Sequence, residues 1–185
     1  MKILIVTQYF FPENFKSNDL AFELEKRGHE VTVLTGIPNY PEGKFFENYG
    51  FFKNRNQVIN GVKIIRALLL PRGKGSGLKL FLNYYSWAFF ASLKAYRLAK
   101  NYKFDAIIVH EPSPIMQFYP ALVVKRIQKT PIYFWVMDLW PESLKIAGGV
   151  KNRMILNYFS GVIKKFYKES EKILITSKGF KHSIL

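Results

Sequence analysis

The chain has 185 residues, of which 49% are hydrophobic and 22% are charged, and its formal net charge is +15. This composition excludes an intrinsically disordered chain, which lacks the apolar area that offsets the entropy of ordering. Cysteine is absent, which excludes a disulfide framework, a thiolate metal site and a cysteine nucleophile. We therefore expect one folded domain with a full hydrophobic core.

The apolar segments of the chain do not predict export or membrane insertion. The run Ile3–Val6 is shorter than the about 7 to 15 residues of a signal-peptide core. The longest apolar stretch, Leu80–Leu93, contains Asn83 and Ser86 and is shorter than the roughly 20 residues that span a bilayer. We expect a protein that is not secreted and has no transmembrane helix.

Short apolar runs rich in β-branched residues predict strands that are buried on both faces. The runs are Ile3–Val6, Val31–Leu34, Val62–Ile65, Ala106–Val109, Ile132–Met137 and Ile173–Ile175. Their continuous rather than alternating apolar character indicates parallel strands, which require crossover connections that are usually helices. The predicted fold class is α/β, with a doubly wound parallel sheet.

Two helical segments fill the first long crossovers. Ser17 can cap the first helix, and Gly28 ends it after two basic residues. The second helix, at about 78–101, is apolar on nearly every side before it turns basic. Such all-round hydrophobicity indicates burial, or contact with lipid or with a partner.

Two later helices are expected at about 120–128 and 152–169. Core packing is the expected role of the apolar residues at helical spacing in the later helix, which are Ile155, Tyr158, Phe159, Val162 and Phe166. Ser177 begins a further capped helix shortly before Leu185. We expect the natural protein to continue beyond this residue.

Polar and aromatic residues follow four of the predicted strands. They occupy the segments 8–15, 36–43, 110–114 and 138–143. Because ligands of a parallel sheet bind beyond the carboxyl ends of its strands, we expect these loops to form one crevice. Aromatic faces stack on the C–H faces of pyranoses, and amides and carboxylates hydrogen-bond to hydroxyl groups. The loops therefore predict a carbohydrate site.

Several other chemistries lack their motifs. The G-x-G-x-x-G fingerprint of NAD and FAD sites does not follow the first strand, where Tyr9 and Phe10 stand. Arg72-Gly73-Lys74 lacks the upstream glycine of a phosphate-binding P-loop. The sequence also contains no G-x-S-x-G, H-E-x-x-H or D-x-D motif. We expect no cofactor and no metal.

Positive charge is concentrated in one region of the chain. Between Lys44 and Lys103 there are twelve basic residues and one acidic residue, Glu47. Such a field attracts anionic lipid head groups, phosphorylated substrates or nucleic acid. A solvated basic face that serves solubility is the alternative interpretation.

At the four loops the sequence resembles glycosyltransferase family 4. The segments that carry the resemblance are Tyr9-Phe10-x-Pro12-Glu13, Gly28-His29-Glu30-Val31, Pro38-Asn39-Tyr40-Pro41-x-Gly43, Asp138-Leu139-Trp140-Pro141-Glu142-Ser143 and Thr176-Ser177-x-Gly179-Phe180. The fourth segment is the most specific of them. It is similar in particular to the bacterial branch that builds capsule, lipopolysaccharide O-antigen and colanic-acid-type polysaccharides, which includes N-acetyl-L-fucosamine transferases.

The resemblance implies that residues 1–185 are the N-terminal, acceptor-binding half of a GT-B fold, a Rossmann-like domain. In the family a second domain binds the nucleotide-sugar donor through an E-x7-E motif, and this motif is absent from the chain. We therefore expect the donor-binding domain to be missing and the fragment alone to be inactive. The implied reaction is a metal-independent, retaining transfer of a sugar from a nucleotide-sugar to a lipid-linked saccharide.

The resemblance and the loop positions together assign roles to single residues. Glu13, His110 and Asp138 are expected to be catalytic, with His110 corresponding to the family histidine that reaches the transferred sugar. The alternatives are a structural hydrogen bond for the histidine and helix capping for the carboxylates. The expected acceptor-binding residues are Tyr9, Phe10, Pro12, Asn14, Pro38, Asn39, Tyr40, Glu111, Trp140 and Glu142.

In this branch the acceptors are sugars on a polyprenyl diphosphate at the cytoplasmic membrane face. The basic segment beside the apolar helix is therefore expected to dock the domain on anionic lipid, which implies a cytoplasmic, peripheral location. The expected docking residues are Arg72, Lys74, Lys79, Trp87, Lys94 and Arg97. Two other functions stay open: a non-catalytic basic module for nucleic acid or a phosphorylated ligand, and a GT-B sugar-nucleotide epimerase. A steep salt dependence of ligand binding would indicate nucleic acid as the ligand. We do not expect nucleic acid to be a partner.

Overall fold

The computed structural model of the chain describes residues 1–146 and 149–184. The strands within these ranges are β1 (Lys2–Val6), β2 (Glu30–Gly36), β3 (Asn56–Ile59), β4 (Val62–Ala67), β5 (Ala106–Glu111), β6 (Ile132–Val136) and β7 (Lys172–Ile175). They form a sheet in the order β3-β4-β2-β1-β5-β6-β7. All neighbouring pairs are parallel except β3 and β4, which are antiparallel.

Helices cover both faces of the sheet and connect its parallel strands, except that a loop and β3 join β2 to β4. They are α1 (Lys16–Lys26), α2 (Gly77–Asn101), α3 (Phe118–Gln128), α4 (Glu142–Ile146), α5 (Arg153–Glu169) and α6 (Lys181–Ile184), with 3₁₀ turns at Ile115–Gln117 and Lys178–Phe180. On one face, β1 packs Leu4 and Val6 against the helices α2, α3 and α5. On the other face, Ile3 and Ile5 pack with Ala21 of α1. The predicted doubly wound α/β class is confirmed.

The edge of the sheet differs from the prediction. The six predicted strands are present, but β3 was missed and β6 ends at Val136, so Met137 lies in the following loop. A turn joins β3 to β4, in which Asn60 and Gly61 adopt φ values of 48° and 79°. An Asn-Gly pair is a strong signal for a two-residue hairpin turn, and it identifies β3 in retrospect.

The start of α1 also differs from the prediction. Phe15 occupies the N-cap position without a side-chain cap bond. Ser17 lies inside the helix, is buried, and donates its hydroxyl to the Tyr9 carbonyl over 3.4 Å. The predicted capping role of Ser17 is therefore wrong. The predicted end of the helix is confirmed, because Gly28 adopts φ 82° and its amide donates to the Glu25 carbonyl over 2.8 Å.

The long apolar helix α2 has a buried face and an exposed apolar face. Trp87 is fully buried, and its neighbours on the buried face include Ala88, Ala91, Ala95 and Ala99. These small side chains let α3 pack closely against α2. The exposed face carries the large apolar residues Leu78, Phe81, Leu82, Phe89, Leu93 and Tyr96.

Helix α5 is amphipathic, but its apolar face is only partly covered. Asn152 caps it by accepting hydrogen bonds from the amides of Met154 (2.9 Å) and Ile155 (3.4 Å). Phe159 and Phe166 are buried as predicted. The predicted burial of Ile155 and Tyr158 is wrong, because these residues are 42% and 55% exposed.

The predicted helix start at Ser177 is confirmed. The Ser177 hydroxyl accepts a hydrogen bond from the amide of Gly179 over 3.1 Å. The chain then passes through the 3₁₀ turn at Lys178–Phe180 into α6. A serine at this position satisfies one of the backbone amides that a helix start leaves without a partner.

Candidate functional site

The four polar loops lie at one edge of the sheet. Strand β1 pairs in parallel with β2 and β5, and β5 pairs in parallel with β6. The loops that follow these strands therefore open on the same side, beyond the carboxyl ends of the strands. Pro38, His110 and Asp138 all belong to this edge, as the sequence predicts. Each loop contains a cis peptide bond, before Pro12, Pro41, Pro114 and Pro141.

Glu13 ties the loop after β1 to the loop after β2. Its carboxylate accepts hydrogen bonds from the backbone amides of Phe10 (3.3 Å), Asn39 (2.8 Å) and Tyr40 (2.7 Å). The residue is only 3% exposed, and this burial raises its pKa to about 7 although the three amides oppose the shift. Glu13 therefore organises the crevice. Its catalytic role stays a prediction, because both carboxylate oxygens already bond to backbone amides.

Asn39 joins the loop after β2 to α2 and to the segment before it. Its side-chain oxygen accepts hydrogen bonds from the Arg72 amide (3.2 Å) and from Nδ2 of Asn83 (3.3 Å). Its own Nδ2 donates to the Ile37 carbonyl over 3.0 Å. Asn39 has no exposed surface. Asn39 therefore positions other residues in this structure, and its expected direct contact with an acceptor stays a prediction.

A cluster of aromatic rings and one guanidinium forms the exposed part of the crevice. Tyr9 stacks on Phe15 with ring centroids 5.1 Å apart, and Tyr40 tilts against both rings at 5.6 Å. The guanidinium of Arg72 lies 4.9 Å above the Tyr40 ring and donates to the Tyr9 hydroxyl over 3.3 Å. Tyr9 is 3% exposed and Tyr40 is 40% exposed. Tyr40 is therefore the ring that a sugar can stack on, with the charge of Arg72 beside it.

His110 is enclosed by the protein. Its Nδ1 lies 3.3 Å from Thr7 Oγ1, its Nε2 lies 2.9 Å from Met137 Sδ, and its ring packs against Trp135 with centroids 4.8 Å apart. Burial lowers the pKa of His110 to about 4, so its imidazole is neutral at neutral pH. Both ring nitrogens face protein atoms in this structure. Contact between His110 and a transferred sugar stays a prediction.

Glu111 and Asp138 have different environments. Glu111 is fully buried at the end of β5, and burial together with the nearby Asp138 charge raises its pKa well above the usual range. Glu111 has no exposed surface in this structure, and its expected contact with an acceptor stays a prediction. Asp138 is half-buried in the loop after β6 and accepts a hydrogen bond from the Ser143 hydroxyl. Asp138 is therefore a carboxylate that a ligand in the crevice can reach.

Other predicted acceptor-binding residues divide into core and surface. Phe10 is 1% exposed and packs on Phe22, with ring centroids 6.0 Å apart. Trp140 is 6% exposed and packs on Phe159 at 5.2 Å. The ring of Phe10 belongs to the core, whereas Trp140 also lines the cavity described below. The expected contacts of both residues with an acceptor stay predictions. Pro38 is likewise buried, whereas the residues with exposed surface at this edge are Pro12, Asn14 and Glu142.

The expected docking residues lie along α2 and the segment before it. Lys74, Lys79 and Arg97 are exposed, and Arg72 and Lys94 are half-buried. Trp87 has no exposed surface. The indole lies between α2 and the sheet, near Gly36 of β2, and the role of Trp87 in membrane docking stays a prediction.

An apolar cavity opens at the Asp138 end of the crevice. It has a volume of about 660 Å³ and lies between α2, α4 and α5, so we name it the α2–α5 groove. The residues that line it are Gly77, Leu80, Phe81, Tyr84, Tyr85, Ser113, Met116, Asp138, Trp140, Ser143, Leu144, Val150, Met154, Ile155, Tyr158 and Phe159. Except near Asp138 and the two serines, the groove walls are almost entirely carbon.

Sequence reasoning missed two residues that connect the crevice to the groove. The Tyr84 hydroxyl lies beside those of Tyr9 and Ser113, and its pKa is raised by burial. Ser113 adopts φ 119°, a conformation that non-glycine residues rarely adopt and that recurs at functional sites. The signal for Ser113 was its place between two prolines, at 112 and 114. Tyr84 had no such signal within the uniformly apolar α2.

The described part of the chain shows neither a metal cluster nor a membrane span. Across residues 1–146 and 149–184, no three His, Asp or Glu side chains are grouped so that they could hold a metal ion. None of the helices in these ranges combines the length and apolarity that crossing a bilayer demands. The crevice presents an exposed aromatic ring, a guanidinium and a carboxylate, and such groups suit a polyol that carries an anionic group.

Comparison with known proteins identifies one family. The family model described as Glycosyltransferase Family 4 matches residues 18–185, well over half of the chain. The matched range contains the loops after β2, β5 and β6 and begins beyond the loop after β1. A search among curated proteins found no match.

Proposed function

Because the chain belongs to glycosyltransferase family 4, we propose that it is the N-terminal, acceptor-binding half of a GT-B enzyme. The enzyme transfers a sugar from a nucleotide-sugar to a lipid-linked saccharide, with retention of the anomeric configuration. The donor is bound mainly by a second domain outside residues 1–185. The fragment alone is inactive, since the reaction takes place between the two domains.

One observation supports the proposal: the loops after β1, β2, β5 and β6 open at one sheet edge, where Tyr40, with Arg72 above its ring, and Asp138 keep surface that a ligand can reach. Tyr40 can stack on the apolar face of a pyranose, and Asp138 can accept a hydrogen bond from a sugar hydroxyl. The guanidinium of Arg72 can bind phosphate oxygens in a bidentate manner. Glu13 and Asn39 fix the backbones that carry these groups.

The biological role that we propose is bacterial surface polysaccharide synthesis. The segment Asp138–Ser143 supports it, because its sequence D-L-W-P-E-S is similar to the branch that makes capsule, lipopolysaccharide and colanic-acid-type polymers. We propose a peripheral location at the cytoplasmic membrane face. Its support is the exposed positive charge of Lys74, Lys79 and Arg97 next to the exposed apolar side chains of α2.

The test of the reaction uses the intact enzyme that contains this chain. It is incubated with nucleotide-activated N-acetyl-L-fucosamine, and separately with common nucleotide-activated hexoses, and a polyprenyl-diphosphate-linked saccharide. Mass spectrometry is expected to show one added sugar, and NMR of the product is expected to show the anomeric configuration of the donor. The rate is expected to be unchanged by EDTA. Hydrolysis or epimerisation of the donor without transfer would contradict the proposal.

The membrane location has its own test. The chain is expected to sediment with liposomes that contain anionic phospholipid and to stay in solution with neutral liposomes. Replacing Lys74 and Lys79 with glutamate is expected to reduce this sedimentation. Equal sedimentation with anionic and neutral liposomes would contradict the proposed location and leave the proposed reaction standing.

A further inference from the structure

The α2–α5 groove is a second binding feature beside the crevice. Its walls include three large side chains with considerable exposure: Phe81 at 51%, Ile155 at 42% and Tyr158 at 55%. Isolated exposed apolar residues are common on proteins, but a concave apolar surface of this size marks a binding site. The exposed face of α2 and the incompletely covered face of α5 thus face the same cavity.

The groove is continuous with the crevice at one end. Asp138 and Ser113 line that end, and the Tyr84 hydroxyl there lies next to the Tyr9 hydroxyl of the aromatic cluster. A ligand that fills the groove can therefore reach from its carbon walls to Arg72 and Tyr40.

The groove extends away from the crevice as well. A second cavity of about 590 Å³ adjoins it, and both are lined by Tyr85 and Tyr158. The second cavity runs between α2 and α5 over α3, past Phe89, Leu122 and Val162. The two cavities together provide a long, mainly apolar path, whose far part also includes Arg126 and Lys165.

Positive charge lies at the crevice end of this path. Arg72, Lys74 and Lys79 lie within five residues of Gly77, which lines the groove at the start of α2, and the Lys79 side chain reaches Gly73 in the same segment. The described residues near this end include a single lining carboxylate, Asp138. An apolar channel with cations at its mouth is complementary to a hydrocarbon chain that carries a phosphate head group.

We propose that the α2–α5 groove binds the hydrocarbon chain of the acceptor, with its phosphates toward Arg72 and Lys79 and its saccharide toward Tyr40. This inference rests on the proposed transferase function and specifies how a lipid-linked acceptor is held. An apolar peptide segment would fill the carbon walls equally well, but the three cations at the mouth favour an anionic amphiphile. Selective binding of a lipid diphosphate distinguishes the two occupants.

The test compares two probes on the 185-residue chain by isothermal titration calorimetry. The probes are farnesyl diphosphate and inorganic diphosphate, which share the charged group and differ in the hydrocarbon. Farnesyl diphosphate is expected to bind at least about tenfold more tightly, because burial of about two methylene groups already accounts for that ratio. Equal dissociation constants would overturn the proposal.

Two matched variants locate the hydrocarbon. Phe81 and Leu93 are each 51% exposed on α2, but only Phe81 lines the groove. Phe81→Asp is expected to weaken farnesyl diphosphate binding about tenfold or more and to leave diphosphate binding nearly unchanged, apart from the added charge. Leu93→Asp is expected to bind both probes like the unmodified chain. Circular dichroism checks that both variants fold.

The outcomes separate this inference from the proposed function. Equal weakening by Phe81→Asp and Leu93→Asp overturns the groove assignment, whereas sugar transfer by the intact enzyme would still support the transferase. Selective binding of farnesyl diphosphate without any sugar transfer would support the groove and contradict the transferase.

Discussion

Replacement of Glu13 is expected to weaken the contact between the loops after β1 and β2 and to destabilise the fold. In Glu13→Ala, the buried amides of Phe10, Asn39 and Tyr40 lose their acceptor. An unsatisfied buried donor costs about 1–3 kcal/mol. Three such donors, partly rescued by water, predict a loss of about 3–5 kcal/mol in the free energy of unfolding. This is a large share of the total stability of a small domain.

Glu13→Gln separates the hydrogen bonds from the charge. Oε1 of Glu13 accepts from both Asn39 and Tyr40, and an amide oxygen can keep both bonds. The bond from the Phe10 amide to Oε2 is lost, because an amide nitrogen cannot accept it. We therefore expect Glu13→Gln to cost about 1–2 kcal/mol at pH 5.

The pH dependence of the stability difference between the unmodified chain and Glu13→Gln gives a second expected magnitude. Burial raises the pKa of Glu13 from 4.5 to about 7 in the folded state, so the folded state binds the proton more tightly than the unfolded state. The contribution of this proton to the free energy of unfolding is fully present below pH 4.5 and is lost as the pH rises through 7. A difference of about 2.5 pKa units corresponds to about 3 kcal/mol. Relative to the unmodified chain, Glu13→Gln is expected to gain this amount between pH 4.5 and pH 8.

Urea denaturation monitored by circular dichroism measures both effects. The unmodified chain, Glu13→Ala and Glu13→Gln are unfolded at pH 5 and pH 8, and their extrapolated free energies are compared. Glu13→Ala within 1 kcal/mol of the unmodified chain would refute the role of Glu13 as a tie between loops. A constant difference between the unmodified chain and Glu13→Gln would refute the raised pKa.

Two further substitutions test the packing of the site at Gly43 and the protonation of Glu111. Gly43 adopts φ 77°, and a Cβ there would lie 1.8 Å from the Gly73 carbonyl oxygen, so Gly43→Ala is expected to cost about 2–4 kcal/mol in urea denaturation. The control is Gly50→Ala, whose new Cβ has nothing within 4 Å, and it is expected to change stability by less than about 0.5 kcal/mol. Equal losses of stability in the two variants would contradict the close contact between Gly43 and Gly73. Burial raises the pKa of Glu111, so folding favours its protonated form and stability falls as the pH rises above the usual glutamate range. Glu111→Gln is expected to flatten the pH dependence of the thermal midpoint, and an unchanged slope would show that Glu111 is ionised in the folded state.

The fold could be predicted because each parallel strand is a continuous apolar run. The run Ile3–Val6 is buried on both faces, and this burial leaves a signal that needs no partner to be recognised. The edge strand β3 has no such run, since its residues alternate between exposed and half-buried. Only the turn at Asn60 and Gly61 marked it.

The roles of single aromatic residues were harder to predict, because an aromatic residue suits both a core and a sugar site. Phe10 and Tyr40 follow adjacent strands, but only Tyr40 keeps its ring exposed. For Trp87 the sequence did carry a signal. Ala91 and Ala95 follow it at helical spacing, and such a row of small residues marks the packed face of α2.

The α2–α5 groove could not be predicted from local patterns. Its walls come from Phe81 and Tyr85 on one helix and from Ile155 and Tyr158 on another, about seventy residues later in the chain. The apolar spacing of α5 predicted a fully packed face. Whether a neighbour covers such a face depends on the distance between the helices, which the sequence of either helix does not encode.

The most direct test of the account is the specificity constant of the intact enzyme for its lipid-linked acceptor after Tyr40→Ala. Tyr102 is the control, because it is 47% exposed, close to the 40% of Tyr40, but precedes β5 and so lies at the opposite edge of the sheet. Tyr40→Ala is expected to lower kcat/KM about tenfold or more, which corresponds to about 1.4 kcal/mol of lost stacking. Tyr102→Ala is expected to leave it unchanged. Equal kcat/KM values for the two variants would contradict a sugar acceptor site at the carboxyl edge of the sheet.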